Sequence, residues 1–378
     1  MLFAEIPGLE SLKNTLRATI HNKHVAHAQL FIGNEGSANF AMALAYATFI
    51  NCEDKTEEDA CGRCPSCTQM AKLAHPDLHM VFPMASLEKV NKEDLKGHLL
   101  KHFRSFVTTQ PYSTLQQWGT FIGAENKQFN IPVEEGRTII SNVSLKAYQS
   151  EYKIVLIWMP ELMHISTANS ILKVLEEPPA KTLFFLVAND YERLLSTILS
   201  RCQLVKVRSF EDEEVTAFLT EKNLAGEKEA RQIAKISEGN LSKALVLTQS
   251  SEHDNHALFA AWMRLNYGRK YADLLAFSED LSKKGREYQK NLLLYSIQIL
   301  RDVLMSKLGL DELIKQTEEE TVFIKNFAKP LQQEVIEKIY NLLSEAFQHI
   351  ERNGNPKIIF FDTSIKISVL FERKPATS

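Results

Sequence analysis

Four short apolar runs within the first 210 residues constrain the fold of the chain more than any other feature. They read HAQLFIG, YKIVLIWM, KTLFFLVAND and CQLVKVRSF, and helix-length segments separate them. Runs that are apolar throughout, rather than alternating with polar residues, are typical of strands buried on both faces of a parallel sheet. Residues 1–208 are therefore predicted to form an α/β domain.

The chain after residue 208 is predicted to be helical. Residues 209–252 contain three short helical patterns, the first capped at Ser209 and the last two separated at Gly239, which predict a small helical domain. Residues 253–378 repeat apolar residues at intervals of three and four, as amphipathic helices do. We expect a second all-α domain there, with Pro356 in the first turn of its last helix.

The region between about 80 and 130 interrupts the α/β pattern. Residues 90–103, VNKEDLKGHLLKHF, are predicted to be helical, whereas residues 110–132 are predicted to form an irregular loop. We interpret residues 80–130 as an insertion into the α/β domain, and the sequence assigns no role to it.

The composition is that of a globular chain with no strong charge. Of 378 residues, 44% are hydrophobic and 24% are charged, with a net charge of -3. The pI of 6.4 argues against autonomous nucleic-acid binding, for which domain values above about 9 are typical. No apolar run reaches the ~18 residues of a membrane span, and Pro7 and Gly8 interrupt any signal-peptide core. We therefore expect a cytoplasmic protein without membrane contact.

Four of the five cysteines lie within sixteen residues, in the segment CEDKTEEDACGRCPSC. In a reducing compartment such clustering predicts metal ligation rather than disulfides. Four thiolates with no open position are typical of structural zinc, because a catalytic site keeps one position for water or substrate. Four unliganded thiols, or a redox C-x2-C pair, are the alternatives. The predicted zinc ligands are Cys52, Cys61, Cys64 and Cys67.

The stretch FIGNEGSANFAMALAYA begins like a phosphate-binding loop between a strand and a helix. A working loop reads G-x-x-x-x-G-K-[ST], in which the lysine neutralises phosphate and the hydroxyl helps to hold Mg²⁺. Counted from Gly33, with Gly36 inside the loop, the last three motif positions are Ala38, Asn39 and Phe40. No lysine or arginine occurs between Lys23 and Lys55. The sequence therefore predicts a degenerate P-loop (Walker A) that binds no ATP in cis.

A second nucleotide motif is also degenerate. A strand that ends in an acidic pair holds Mg²⁺ and orients water in working sites. The corresponding strand here, KIVLIWM, ends in Trp158 and Met159. Glu161 follows and is interpreted as a solvated or capping residue. An ordinary α/β core that never bound nucleotide remains an alternative at this point.

Further motifs resemble those of a known family. NSILKVLEEPP (169–179), TLFFLVAND and LLSTILSRCQ (194–203) are similar to the signature run of bacterial DNA polymerase III clamp-loader subunits, which are AAA+ proteins. The N-terminal segment IPGLESLKNTLRATIHNKHVAHAQLFIG, the position of the cysteine cluster and the HPD of residues 75–77 are similar as well. The resemblance covers residues 1–250, and the later helices more loosely, apart from NGNPK; the insertion has no counterpart in it.

The resemblance implies a domain organisation. An AAA+ α/β domain would span residues 1–208 and carry the zinc module at 52–67. A helical lid domain would follow at 209–252. Residues 253–378 would form a helical collar that joins other subunits in a pentameric ring.

The family offers two types of subunit on this fold. Motor subunits, gamma or tau, have intact P-loop and acidic motifs, whereas the delta-prime type lacks an active nucleotide site but keeps the arginine of an S-R-C motif. The residues here are Ser200, Arg201 and Cys202. The resemblance makes Arg201 the arginine finger that acts in trans on a neighbouring ATP site; a purely structural arginine is the alternative. Cys202 is expected to be a small buried residue rather than a reactive thiol.

Two further positions of the family's nucleotide site can be assigned by the resemblance. The residue that senses the γ-phosphate falls on Asn189, and the arginine of a second sensor falls on Ser242. Lys243 is adjacent to Ser242, but its side chain would point about a third of a helical turn away. A third nucleotide contact is therefore missing.

Together these residues predict a non-hydrolysing, delta-prime-like clamp-loader subunit without a polymerase active site. Its expected partners are the gamma or tau motor subunits and the delta subunit, and through the complex the sliding clamp and primed DNA. The main alternative is a gamma- or tau-like ATPase with an atypical P-loop. A zinc-bearing interaction module outside replication is a second alternative.

Overall fold

The computed structural model describes residues 1–87, 90–125, 127–249, 252–314, 316, 318–352 and 354–371. The chain divides into two compact units, Met1–Val246 and Leu247–Ser378. The division of the first unit into an α/β domain and a separate lid domain stays a prediction.

The first unit is built on a parallel sheet of five strands in the order β2-β3-β4-β1-β5. The α/β prediction is confirmed, and the four apolar runs correspond to four of these strands. The four-residue strand β2 was missed because it is too short to show a pattern of its own. The strands are β1 Ala28–Ile32, β2 Leu78–Val81, β3 Lys153–Trp158, β4 Thr182–Ala188 and β5 Gln203–Lys206.

Helices cover the sheet and continue beyond its last strand. The helix after the P-loop-like segment is apolar on all sides and all of its residues are buried, as expected for a helix inside a large core. Helices of residues 1–249 are α1 Glu10–His21, α2 Asn39–Asn51, α3 Pro65–Ala71, α4 Lys92–Thr109, α5 Leu115–Phe121, α6 Val133–Ser144, α7 Ile165–Glu176, α8 Ser196–Leu199, α9 Asp212–Glu221, α10 Glu227–Ser237 and α11 Leu241–Gln249.

The insertion is a folded part of the first unit. Its ends are joined by an antiparallel bridge in which Met84 and Asn130 exchange backbone hydrogen bonds of 2.8 and 3.1 Å. The predicted helix is present as α4, but the prediction of an irregular loop was wrong at α5. Thr114 caps α5, and Gln117 returns a side-chain bond to the backbone of Thr114. This T-x-x-Q capping box was a readable signal in the sequence.

The helices α9, α10 and α11, which we call the lid helices, follow β5. The first of them begins at Asp212, so the predicted cap at Ser209 was wrong. The residue at the N-cap is Glu211, whose backbone N–H donates to Glu214 at 2.9 Å. The predicted break at Gly239 is confirmed, since its φ of 76° is favourable only for glycine and a Cβ there would lie 2.3 Å from the carbonyl oxygen of Phe210.

The described residues of the second unit are helical, as predicted. Its core contains the fully buried Trp262 and Phe360, whose rings pack edge to face at 5.7 Å. Pro356 begins the last helix, also as predicted. No helix in the described part of the chain is long and apolar enough to cross a membrane. The helices are α12 Glu252–Tyr267, α13 Tyr271–Ser282, α14 Arg286–Lys307, α15 Glu318–Ala328, α16 Gln333–Glu351 and α17 Pro356–Leu370.

Candidate functional site

The P-loop-like segment lies between β1 and α2, at the carboxyl edge of the sheet. Asn39, at the position of the motif lysine, is buried, and its side chain turns inward onto the strand ends. Its amide group donates to the backbone oxygen of Ala188 at 3.2 Å and to the Asn189 side-chain oxygen at 2.8 Å. The side chain at the predicted lysine position thus bonds to Asn189, the residue that the resemblance assigns to γ-phosphate sensing.

Aromatic rings occupy the two positions that hold Mg²⁺ in a working site. Phe40 replaces the hydroxyl residue of the loop and Trp158 replaces the first acidic residue of β3. Their rings contact each other edge to face, with centroids 6.1 Å apart. Phe103 of α4 lies against both, at 6.3 Å from Phe40 and 5.4 Å from Trp158. Three aromatic rings therefore meet at the two positions where the motifs would require oxygen ligands.

The insertion supplies most of this aromatic cluster. Trp118 of α5 is fully buried, donates its indole N–H to the Pro83 carbonyl at 3.0 Å, and packs on Phe103 at 5.3 Å. Phe82 stacks face to face on Phe103 at 4.1 Å. Phe106 packs on Trp118 from the next turn of α4. Sequence analysis missed this arrangement, because nothing local relates Phe103 to residues 40 and 158.

The second-sensor position is also bonded to the insertion. Ser242, at the start of α11, donates its hydroxyl to the side-chain oxygen of Gln117 at 2.9 Å. The lid helices also contact the loop directly, since the backbone N–H of Leu241 donates to the Gly36 oxygen at 3.0 Å. Gly36 has a φ of 76°, and a Cβ there would overlap the side chain of Asn240. Loop, insertion and lid helices thus meet at one point.

The acidic motif has no carboxylate at its own positions, but one lies nearby. Met159 has a φ of 54°, and the short 3₁₀ helix Pro160–Leu162 follows it. Glu161 in that helix accepts the backbone N–H of Asn189 at 3.2 Å, and its other oxygen has no hydrogen-bond partner among the described residues. Burial raises the pKa of Glu161. Of the two predicted roles, solvated or capping, this bond agrees with the second, and it ties the turn after β3 to the end of β4.

A cavity of about 950 Å³ remains at the carboxyl edge, on the side of the loop that faces α1. Its lining includes Gly33 and Asn34 of the loop and, beside them, residues of both charges: Lys206, Arg208, Asp190 and Glu192. Arg208 is already held by Glu214 through two bonds of 2.7 and 2.8 Å. This balance of charge does not favour a triphosphate.

Arg201 lies between α8 and β5, on the amino side of its strand. Its Nε and Nη2 atoms donate to one oxygen of Glu176 at 2.9 and 2.8 Å, and its Nη1 donates to the Thr197 carbonyl at 3.0 Å. The Arg201 side chain is 30% exposed and that of Glu176 is 60% exposed. The guanidinium is therefore held in one orientation at the surface and still reached by solvent.

The residues beside Arg201 differ in role. Ser200 accepts a bond from the Arg201 guanidinium at 3.3 Å and so helps to orient it. Cys202 is partly buried against the core, and burial raises the pKa of its thiol to about 12. A thiol with such a pKa is protonated at neutral pH, as expected for a packing residue.

The four clustered cysteines come together as predicted. Their sulfur atoms all lie within 4.8 Å of one another, and none is in a disulfide. Four sulfurs around zinc at about 2.3 Å would be roughly 3.8 Å apart, so a small contraction would complete a tetrahedron. Backbone N–H groups of Arg63 and Cys64 lower the pKa of Cys61 to about 6, which favours the thiolate. The donor set fits structural zinc.

Helix ends and a tight turn within the module bring its four cysteines together. Cys52 caps the end of α2, Cys64 precedes α3 and Cys67 lies within it. Gly62 takes a φ of 71°, which permits the tight turn between the second and third ligands. Asp59 ties the module to the N-terminus by accepting the backbone N–H of Ala4 at 2.8 Å.

The fold and the site define the class of protein. A parallel five-stranded sheet with a P-loop-type segment at its carboxyl edge, followed by helical segments, is the fold of an AAA+ protein. The profile of the family described as "DNA polymerase III, delta subunit" matches residues 8–211, more than half of the chain. The chain therefore belongs to this family.

Individual relatives agree with the family. The Bacillus subtilis DNA polymerase III subunit tau is 21% identical over 389 residues, which cover 97% of this chain but 61% of that relative. The Bacillus subtilis subunit delta' is 25% identical over 343 residues, 89% of each chain. A solved gamma subunit-related protein of Thermotoga maritima has a TM-score of 0.41 at 14% identity, over 94% of this chain and 99% of that one, too low to add to the assignment. These identities do not separate the delta' type from the tau type.

Proposed function

We propose that this chain is a delta-prime-type subunit of a bacterial DNA polymerase III clamp loader. It does not hydrolyse ATP itself, and it supplies Arg201 to the ATP site of a neighbouring motor subunit. The contact between Phe40 and Trp158 carries the proposal, because it fills with rings the two positions where Mg²⁺ would be held. A motor subunit needs those positions for oxygen ligands.

The position of Arg201 supports action in trans. The residue directly precedes β5, whereas the P-loop-like segment follows β1 and the acidic-motif residues follow β3. In a parallel sheet the amino and carboxyl ends of strands lie at opposite edges. Arg201 and the chain's own degenerate site are therefore at opposite edges of the sheet, so a phosphate stabilised by Arg201 belongs to another subunit.

The chemistry of the guanidinium suits this role. It is charged at all physiological pH values and presents several N–H groups in a plane that matches a phosphate. In phosphoryl transfer, such a group stabilises the charge that develops on the transferred phosphoryl in the transition state. The bonds that the guanidinium donates to Glu176 and Thr197 restrict the rotamers of Arg201 before any neighbour arrives.

The first test is nucleotide binding by the purified chain. We expect Mg²⁺-ATP to leave its melting temperature unchanged. Binding would be detectable, since a ligand at 100 times its Kd stabilises the fold by about 2.7 kcal/mol. A differential scanning fluorimetry titration, run beside a steady-state phosphate-release assay, measures both binding and turnover. Mg²⁺-dependent turnover by the chain alone would instead establish the rival, a gamma- or tau-type ATPase with an atypical P-loop.

We also propose that the four-cysteine module binds one structural zinc ion. Zinc would replace the protons of Cys52 and Cys67, whose thiol pKa values are raised by burial. With all four positions filled by sulfur, the ion would stabilise the polar segment between α2 and α3 and leave no position for catalysis.

Elemental analysis should find one zinc per chain. Cys64→Ser should lose the metal and lower the melting temperature, because the remaining three thiolates no longer enclose it. Cys202→Ser, which changes a thiol outside the module, is the matched control and should keep full zinc content. Metal-free wild-type protein that melts at the same temperature as freshly purified protein would contradict a structural role.

The partners follow from the proposed role. The motor subunits gamma or tau and the delta subunit would contact this chain in a pentamer-type ring, to which the helices after residue 252 would contribute a collar. The sliding clamp and primed DNA would be reached through the complex, in the cytoplasm. Affinity purification from the native host should recover the motor subunits; recovery of unrelated partners only would favour an interaction module outside replication.

A further inference from the structure

The insertion has no counterpart in the family resemblance, yet it contacts three positions of the degenerate nucleotide site. Phe103 lies against Phe40 of the loop and Trp158 of the acidic motif. Gln117 bonds to Ser242 at the second-sensor position. These are the positions that hold Mg²⁺ and contact nucleotide in a working subunit of this fold.

We propose that the insertion is an internal ligand of this site: its rings occupy the side of the pocket where Mg²⁺ would be held, and its contacts hold the lid helices on the α/β part in one arrangement. The proposal goes beyond the finger role and does not depend on it. It rests on the proposed function only for the assignment of these three positions as former nucleotide contacts.

Burial and ring contacts show that the insertion covers the metal side of the pocket. Phe103 and Trp118 are both fully buried, and Phe103 packs on the rings at both metal-ligand positions. Phe82 stacks on Phe103 and Phe106 supports Trp118, which fixes both rings within the cluster. Displacing this cluster by a triphosphate would expose the rings to water and desolvate the phosphate charge without a lysine.

Contacts other than those of Phe103 join the insertion to the lid helices. Tyr112, between α4 and α5, is buried against Phe210 at 5.8 Å and against Phe218 of α9 at 6.1 Å. The Ser242 hydroxyl bonds to Gln117, whose oxygen also receives the backbone N–H of Thr114. The insertion therefore touches both the first and the last lid helix, as a nucleotide bound between a lid and a P-loop would join the two.

Hydrogen exchange of the intact chain, measured with and without Mg²⁺-ATP, tests the proposal. In the wild type, the lid helices should be protected equally in both conditions. Gln117→Ala should accelerate exchange in the lid helices by about five-fold, the factor that loss of one ordinary hydrogen bond produces in an opening equilibrium. Phe103→Ala, which removes the ring against Phe40 and Trp158, should accelerate it by at least as much. Exchange in α12 to α17 should not change.

Two matched variants separate this role from general loss of stability. Phe106→Ala removes an equally buried ring of α4 that packs on Trp118 and Phe121 rather than on the site. Gln116→Ala changes the exposed neighbour of Gln117 in the same helix. Both should accelerate lid exchange less than their partners do. Equal acceleration within either pair, or no acceleration by Phe103→Ala and Gln117→Ala, overturns the proposal.

The outcomes also distinguish this proposal from the proposed function. ATP that binds the wild type and protects its lid helices overturns the internal-ligand role, and accompanying turnover overturns the delta-prime assignment as well. Lid exchange that is insensitive to ATP, to Phe103→Ala and to Gln117→Ala overturns the internal-ligand role alone.

Discussion

Arg201→Ala should reduce ATP hydrolysis at the neighbouring site by about 10³-fold or more, the range over which arginine fingers act. The reason is that the site loses a fixed positive charge aimed at the transition state. Other ATP sites of the complex would keep their own arginine fingers and would dominate the steady-state rate. The measurement is therefore a rapid-quench burst of ATP hydrolysis by the reconstituted complex with clamp and primed DNA. The burst should lose the amplitude of one site.

Matched arginine variants make this result specific. Arg193→Ala removes an exposed arginine of the same unit and should leave the burst unchanged. Arg201→Lys keeps the charge but loses the planar fork, so most of the defect should remain. If the complex that contains Arg201→Ala assembles and gives a full burst, Arg201 is a structural residue and the finger assignment is wrong.

Trp118→Ala should destabilise the first unit by about 3–5 kcal/mol, the usual loss for a large aromatic ring removed from a core. Trp118 is fully buried, contacts four aromatic rings and donates its N–H to Pro83. Urea unfolding followed by circular dichroism measures the change, with the transition of the first unit shifting to lower denaturant.

Two variants calibrate this prediction. Phe121→Ala removes a ring that is 42% exposed at the edge of the same cluster, so its effect should be much smaller. Trp118→Phe keeps much of the apolar volume and leaves the Pro83 carbonyl without its donor, so it should fall between the two. A Trp118→Ala midpoint equal to that of the wild type would mean that the insertion does not belong to the core of the first unit.

Much of the fold can be predicted because its signals are local. Buried parallel strands produce continuous apolar runs, so β1, β3, β4 and β5 were located from the sequence. Gly239 and Pro356 were read correctly because their backbone requirements belong to single residues. The cap of α9 was misplaced because Ser209, Glu211 and Asp212 all offer a suitable oxygen, and only the observed backbone path selects among them.

The candidate site was partly predictable for the same reason. The absence of a lysine at position 39 and of an acidic residue at position 158 can be read directly from the sequence. What replaced them is not, because the contact between Phe103 and Phe40 joins residues far apart in sequence. The pairing of Arg201 with Glu176 is equally non-local, although both residues lie in motifs that the sequence made conspicuous.

The ring contact between Phe40 and Trp158 also bears on whether substitutions could restore the nucleotide motifs. Restoring a motif lysine by Asn39→Lys would remove the amide that donates to Ala188 and Asn189, and an aspartate at position 158 would bury a carboxylate among aromatic rings. An unpaired buried carboxylate costs several kcal/mol, and neither change removes Phe103. On the proposed assignment, no single substitution would restore a metal-binding site, because the rings that meet there come from three separate segments of the chain.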